Sequence, residues 1–331
     1  MMGWYYYSMS ILKLWWVLPI AAMVMLPGCI KNEATGRTQF NLLSSSQEVA
    51  MGLAAKPQMV QEFQGSVADP TLNAYVADLG MRLSKVTEGE NPNLPWSFTF
   101  LNSDVVNAFA LPGGQVFITR GLAKKLTNEA QLVGVLGHEI GHVTARHGGE
   151  RISKQIGFEV VVQGLGAGTG SAELAQLSSQ IAELTQLSYS RDQESESDSL
   201  GLRYMTKLNY NPIGQQQVMQ IFAKMQADAG GSQNEWTATH PDPAKRVKLV
   251  GDEIARLYPT TQRDPRFKLN EAEYRSIMLA RLALLPPAPD AERVLARRGV
   301  GAGLWCAHCR EEEDEAKFPN FQMAKLPNEG S

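Results

Sequence analysis

Hydrophobic positions change their period several times along the chain, and the changes outline its elements. An apolar run, LWWVLPIAAMVML (Leu14–Leu26), follows Lys13. It is shorter than a spanning helix needs and suits a signal-peptide core. Residues 30–45 (IKNEATGRTQFNLLSS) are polar and read as a tether. Ser46, with Gln47 and Glu48 behind it, opens a helix expected to reach about Phe63. Leu72, Tyr75, Val76, Leu79, Leu83 and Val86 recur at helical spacing and predict an amphipathic helix over 70–87. The pattern then turns strand-like in WSFTFL (96–101), VVNAFA (105–110) and QVFIT (115–119). Asn102-Ser103-Asp104 and Leu111-Pro112-Gly113-Gly114 separate these runs with turn chemistry, so a small antiparallel sheet is expected.

Helical spacing returns at Thr127, a cap with Glu129 in the first turn, and runs to about His147. GLGAGTGS (164–171) interrupts it. Helices are expected at about 172–187, 190–208 and 213–228, and another starts in HPDPAKRVKLV (240–250). The division that follows is a signal peptide over 1–28, a tether over 29–45, a main domain over 46–260 and a C-terminal helix over 261–285. Residues 286–331, with PPAPD, WCAHC and EEEDE, read as a poorly ordered tail. No repeat of 20–50 residues is visible.

Composition adds bounds. The 331 residues, 44% hydrophobic and 20% charged, suffice for one sizeable core. A net charge of −3 excludes a dominant basic surface for nucleic acid. The apolar run ends in LPGC, which resembles a bacterial lipobox, so Cys29 is the expected lipidation site and the chain is expected to be exported. Ile30 in place of Asp resembles the outer-membrane signal. Only Cys306 and Cys309 remain, and WCAHC has neither the βαβ context of a redox motif nor the ligands of a zinc knuckle.

The chemistry concentrates in LGHEIGHVTARHG (136–148). A glutamate and two imidazoles inside an otherwise apolar helix are costly unless compensated. His138 and His142 are four residues apart, so their rings leave one helix face and can reach one tetrahedral zinc. Glu139, offset by one position, can act as general base on a zinc-bound water. Gly134, Gly137 and Gly141 leave room for another element to approach closely. His147 lies about 180° round a continuous helix from His138 and reads as a helix-end residue facing elsewhere. A third ligand is sought in YSRDQESESDSLG (189–201), where Glu194 and Asp198 share a face. Asp192 and Glu196 form an equivalent pair, so spacing alone also allows a solvated acidic face.

HEIGHVTARH, SRDQESESD and NAFALPGGQVFITRG together resemble one family of gluzincin metallopeptidases, that of the CAAX prenyl protease, the HtpX heat-shock protease and the BepA-type periplasmic proteases. The resemblance covers roughly residues 30–260. It implies a zincin-like α+β fold, mainly helical, with the small sheet beside the active helix. It implies one Zn2+ held by His138, His142 and Glu194, Glu139 as the base, and Asp198 as the partner orienting a ligand. Ser197 stands where the family usually has Ala. No spanning run follows residue 26, which points to the soluble, lipid-anchored branch. His240, in THPDP, resembles a His-Pro motif near the zinc of some members. It would either stabilise the oxyanion or coordinate zinc at rest and block the site. Asn107, Phe109 and Ala110 would line a groove where an extended peptide pairs with a strand, or belong to a plain hairpin edge.

The expected function is zinc-dependent endoproteolysis of unfolded or misassembled cell-envelope proteins, at the periplasmic face of the outer membrane. The rival readings are a deformylase-like hydrolase, for which no cysteine is suitably placed, and a latent or non-catalytic zinc-binding assembly factor.

Overall fold

The computed structural model describes residues 29–89, 91–154, 188–231 and 235–288. The expected signal peptide, the helix at 172–187 and the WCAHC tail lie outside them.

The described residues open with strands β1 (Cys29–Lys31) and β2 (Thr38–Phe40), paired antiparallel with Cys29 opposite Phe40. This corrects the expected tether. The hairpin is pinned by side chains: Asn32 Nδ2 donates to Thr144 O at 2.9 Å, and Arg37 reaches Glu150 and Glu196. Its partners lie more than 100 residues away, so no local pattern announces it. Helix α1 (Ser45–Glu62) begins with a capping box between Ser44 and Gln47. Helix α2 (Pro70–Ser84) is capped by Asp69 and buries Leu72, Val76, Leu79 and Leu83.

Strands β3 (Ser97–Leu101), β4 (Ala108–Leu111) and β5 (Gln115–Thr119) form one sheet in the order β3-β5-β4. The β4–β5 pair is an antiparallel hairpin, as expected, but β3 runs parallel to β5. The sheet is therefore mixed, and among the described residues β4 is an edge. The reversal lies in the link from β3 to β4, which crosses to the far side of β5 instead of turning back as a hairpin. Between strands and helices the core is continuous: Phe98, Phe100, Ala110 and Ile118 belong to the same cluster as Leu132, Leu136 and Ile140.

A short helix, α3 (Arg120–Ala123), leads to α4 (Glu129–Thr144), every residue of which is buried. Asn128, not Thr127, caps α4, accepting from the Gln131 amide. Helix α5 (Arg191–Lys207) starts at a Ser190–Gln193 capping box and lies across α4. Helix α6 (Ile213–Asp228) packs on both. A single turn, α7 (Glu235–Thr239), precedes α8 (Pro243–Leu257). The described residues close with helical pieces Glu271–Tyr274, Arg275–Leu279 and Ala280–Leu282, so the helix expected at 261–285 begins about ten residues later. Among the described residues no helix is long and apolar enough to cross a membrane.

Candidate metal centre

Helices α4 and α5 approach so closely because small residues face each other. A Cβ at Gly137 would lie 3.3 Å from Gly201 Cα, tighter than an ordinary side-chain contact. That contact brings one face of α5 over the two histidines of α4. The four groups His138, His142, Glu194 and His240 then converge, with one ligand atom from each lying within 4.8 Å of all the others. His138 Nε2 is 3.1 Å from His142 Nε2 and 3.4 Å from His240 Nδ1. Glu194 Oε1 is 3.3 Å from His142 Nε2 and 3.0 Å from His240 Nδ1, and its Oε2 is 3.6 Å from His138 Nε2.

These separations fit a divalent metal. Ligands about 2.0–2.1 Å from a tetrahedral zinc stand roughly 3.3 Å from one another. Further signs come from orphaned atoms. Both carboxylate oxygens of Glu139, and His240 Nε2, are buried with no hydrogen-bond partner. Native interiors rarely leave such atoms unsatisfied.

The surroundings set the charge states. Burial pushes the Glu139 carboxyl up, as befits a base poised to take a proton. Burial also opposes ionisation of Glu194, but the Arg246 guanidinium and His240 outweigh it and hold the carboxyl well below its usual range. Burial lowers His142 well below the ordinary imidazole range, toward the neutral form a metal requires. His138 is also opposed by burial, but its 3.0 Å contact from Nδ1 to Asp198 Oδ1 leaves it raised. Asp198 itself is held low by Arg246 and His138 against burial.

Asp198 thus sits on Nδ1 of His138, away from the ring nitrogen that faces the other three groups. Ser197 donates to the His138 carbonyl, so serine serves the helix crossing. His147 is a correction: it is fully buried, with Nδ1 2.9 Å from His142 Nδ1. The helix is not continuous there, because Arg146 takes a left-handed φ of 55° and re-aims the next turn. Phe109 is a second correction. Its ring packs against Phe63 and Phe117, with centroids 5.1 and 4.8 Å away, and so belongs to the core rather than to a groove. Ala110 instead lines a small cleft with Leu111, Pro112, His142 and Tyr189. Asn107 precedes β4 and is tied to Thr119 through its backbone. Cys29 is exposed at the head of β1.

Arg246 escaped the sequence reading. It is buried on α8 and bonds Asp198 Oδ1 at 2.7 Å and Oδ2 at 2.8 Å, and it also meets Glu194. The signal was present: Arg246 lies in the buried stripe of Pro243, Val250 and Ile254. A charge on a stripe destined for the core implies a buried partner. Two rings also went unnoticed. Tyr189 stacks on His142 at 3.7 Å, and Trp236 stacks on His240 at 4.7 Å.

A buried HExxH helix crossed by a second helix carrying a glutamate defines a zincin-like metallopeptidase. The profile of peptidase family M48 matches residues 70–254, and the chain belongs to that family. Membership implies a bound divalent metal. The beta-barrel assembly-enhancing protease of Escherichia coli K12 is 31% identical over 239 residues, covering 68% of this chain and 47% of the relative. That of Yersinia pestis is 33% identical over 229 residues, 66% and 46% of the two chains. The mitochondrial metalloendopeptidase OMA1 of Arabidopsis thaliana is 32% identical over 158 residues, 47% of this chain and 31% of the relative. The chain spans about half the length of the first two relatives.

Proposed function

We propose that the chain is a zinc-dependent endopeptidase that hydrolyses unfolded or misassembled proteins of the bacterial cell envelope. One observation carries this reading: two imidazoles and a carboxylate converge at 3.1–3.6 Å beside a glutamate with both buried oxygens unpartnered. His138, His142 and Glu194 would hold the metal, which when bound polarises a peptide carbonyl and acidifies water. Glu139 takes the proton of the attacking water and delivers it to the leaving nitrogen. Asp198 fixes the His138 ring, and Arg246 pairs with Glu194 and Asp198.

Among the described residues, strand β4 is an edge. An extended substrate would add to it by main-chain hydrogen bonds, which folded proteins cannot supply. The names of the bacterial relatives support an envelope substrate. Lipidation at Cys29 would hold the domain at the periplasmic face of the outer membrane.

His240 Nδ1 sits among the ligand atoms, 3.0 Å from Glu194 Oε1, which favours the resting-ligand reading of this residue over an oxyanion donor. Its Nε2 is 3.7 Å from Glu139 Oε1. The resting enzyme is then self-limited, and the runner-up function, a latent or non-catalytic assembly factor, is its extreme.

The test is metal content and cleavage of an unfolded protein by the full chain and by Glu139→Gln. One metal per chain in both, with cuts from the parent alone, supports the assignment. Metal without cuts in either favours the latent reading, and no bound metal overturns both.

A further inference from the structure

Four of the chain's five histidines meet at one place, yet the metal centre uses only three of them. His147 is fully buried and touches no ligand atom of the centre. It faces the back of His142, with Nδ1 to Nδ1 at 2.9 Å, and its Nε2 is 2.9 Å from Glu196 Oε2. Glu196 Oε1 in turn accepts from Arg37 Nε at 2.8 Å, and Arg37 grips Glu150 with both remaining nitrogens at 2.8 and 3.2 Å.

The proton placement in this line has one consistent solution. If His142 gives its Nε2 lone pair to the centre, its hydrogen is on Nδ1 and points at His147. His147 Nδ1 must then accept, so its own hydrogen is on Nε2 and points at Glu196. Glu196, a carboxylate, accepts from both sides. Every buried polar atom along the path has a partner.

The backbone is bent to make this contact. A regular helix would carry His147 to the far side of α4. Instead Arg146 adopts a left-handed conformation, uncommon for a side chain of its size, and is held there by Glu48 and the Leu43 carbonyl at 3.0 and 2.7 Å.

We propose that His147 is a positioning residue that locks the ring of His142 through its Nδ1–H, and that Glu196 and Arg37 extend the lock to the N-terminal hairpin. The inference rests on the metal-centre reading above. The two histidine ligands are then supported unequally. His138 leans directly on a carboxylate, whereas His142 leans on a neutral imidazole with the carboxylate one step further out. The hairpin that begins at Cys29 is joined through three side chains to a metal ligand.

The test uses the full chain loaded with Zn2+ or Co2+. Affinity is read by chelator competition, geometry by the visible spectrum of the Co2+ form, and fold by the melting of the metal-free protein. His147→Leu fills the space but removes the acceptor. It should weaken metal binding by about 10–100-fold and shift the Co2+ bands. His147→Asn, whose Oδ1 can stand where Nδ1 stood, should recover most of the affinity. Glu196→Gln and Arg37→Gln should produce the same spectral shift with losses below about tenfold. A parent that binds no metal overturns the metal centre itself. A parent that binds one metal beside a His147→Leu with unchanged affinity and spectrum overturns this proposal alone. If His147→Leu fails to fold, Glu196→Gln decides in the same way: unchanged affinity and spectrum overturn it.

Discussion

Gly141 on α4 lies directly beneath Ser197 on α5, so close that a Cβ on the glycine would stand 2.7 Å from Ser197 Oγ and 2.9 Å from its carbonyl oxygen. The second contact is with backbone and cannot be relieved by a rotamer change. Gly141→Ala must therefore lift α5 from α4 just where Glu194 faces His142. Overpacking of this kind costs about 1–3 kcal/mol. The expected result is a lower melting temperature together with weaker metal binding, measured by thermal unfolding and chelator competition. Full metal affinity in a well-folded Gly141→Ala would show that the crossing distance does not set the ligand geometry.

Arg246 is the buried cation between two buried carboxylates. Removing one member of such a set strands the remaining charges and costs about 3–5 kcal/mol. A bound divalent ion supplies positive charge to the same carboxylates, so the loss should be uneven. Arg246→Met is expected to destabilise the metal-free protein strongly and the loaded protein less. Differential scanning calorimetry of both forms reads this as a larger metal-induced rise in melting temperature than in the parent. An equal loss in both forms would contradict the electrostatic account.

The hairpin's anchorage should depend on pH. Burial alone would raise Glu150, but its bonds to Arg37 and Lys154 outweigh that and bring it from an ordinary 4.5 down to about 2. A carboxyl lowered on folding stabilises fully above its unfolded value and loses that contribution as pH falls toward the folded one. The stability gap between the parent and Glu150→Gln should therefore be constant above about pH 6 and shrink between about pH 4.5 and 2. Urea unfolding at a series of pH values measures it. A gap that grows on acidification would refute the assigned direction.

Much of the helical scaffold and of the site was legible in the sequence because its signals are local. Helical spacing marked α2, the helix expected at about 190–208 matches α5, and the four-residue spacing of His138 and His142 placed both rings on one face. What stayed hidden depends on distant partners. The hairpin at Cys29–Phe40 is held by Thr144, Glu150 and Glu196. The parallel pairing of β3 with β5 depends on a crossing loop rather than on strand composition. His147 was misplaced because a single left-handed residue, Arg146, breaks the helical arithmetic. Arg246 could have been found, since an arginine on the apolar stripe of α8 has to be neutralised by something buried.

If His240 is a resting ligand, resting activity turns on it. Its Nδ1 lies 3.4 Å from His138 Nε2 and 3.0 Å from Glu194 Oε1, a fourth corner of the ligand set, while three other groups suffice to hold a metal. Water and substrate need that corner. Trp236 stacked on the ring and the α7 turn behind it hold His240 in place, so departure requires that short segment to move. His240→Ala should retain one metal per chain, bind it more weakly, and cleave an unfolded protein faster than the parent. Cleavage assays at saturating metal separate turnover from occupancy. A fall in turnover with metal retained would instead assign His240 to the oxyanion, and would require its Nε2 rather than its Nδ1 to face the reacting carbonyl.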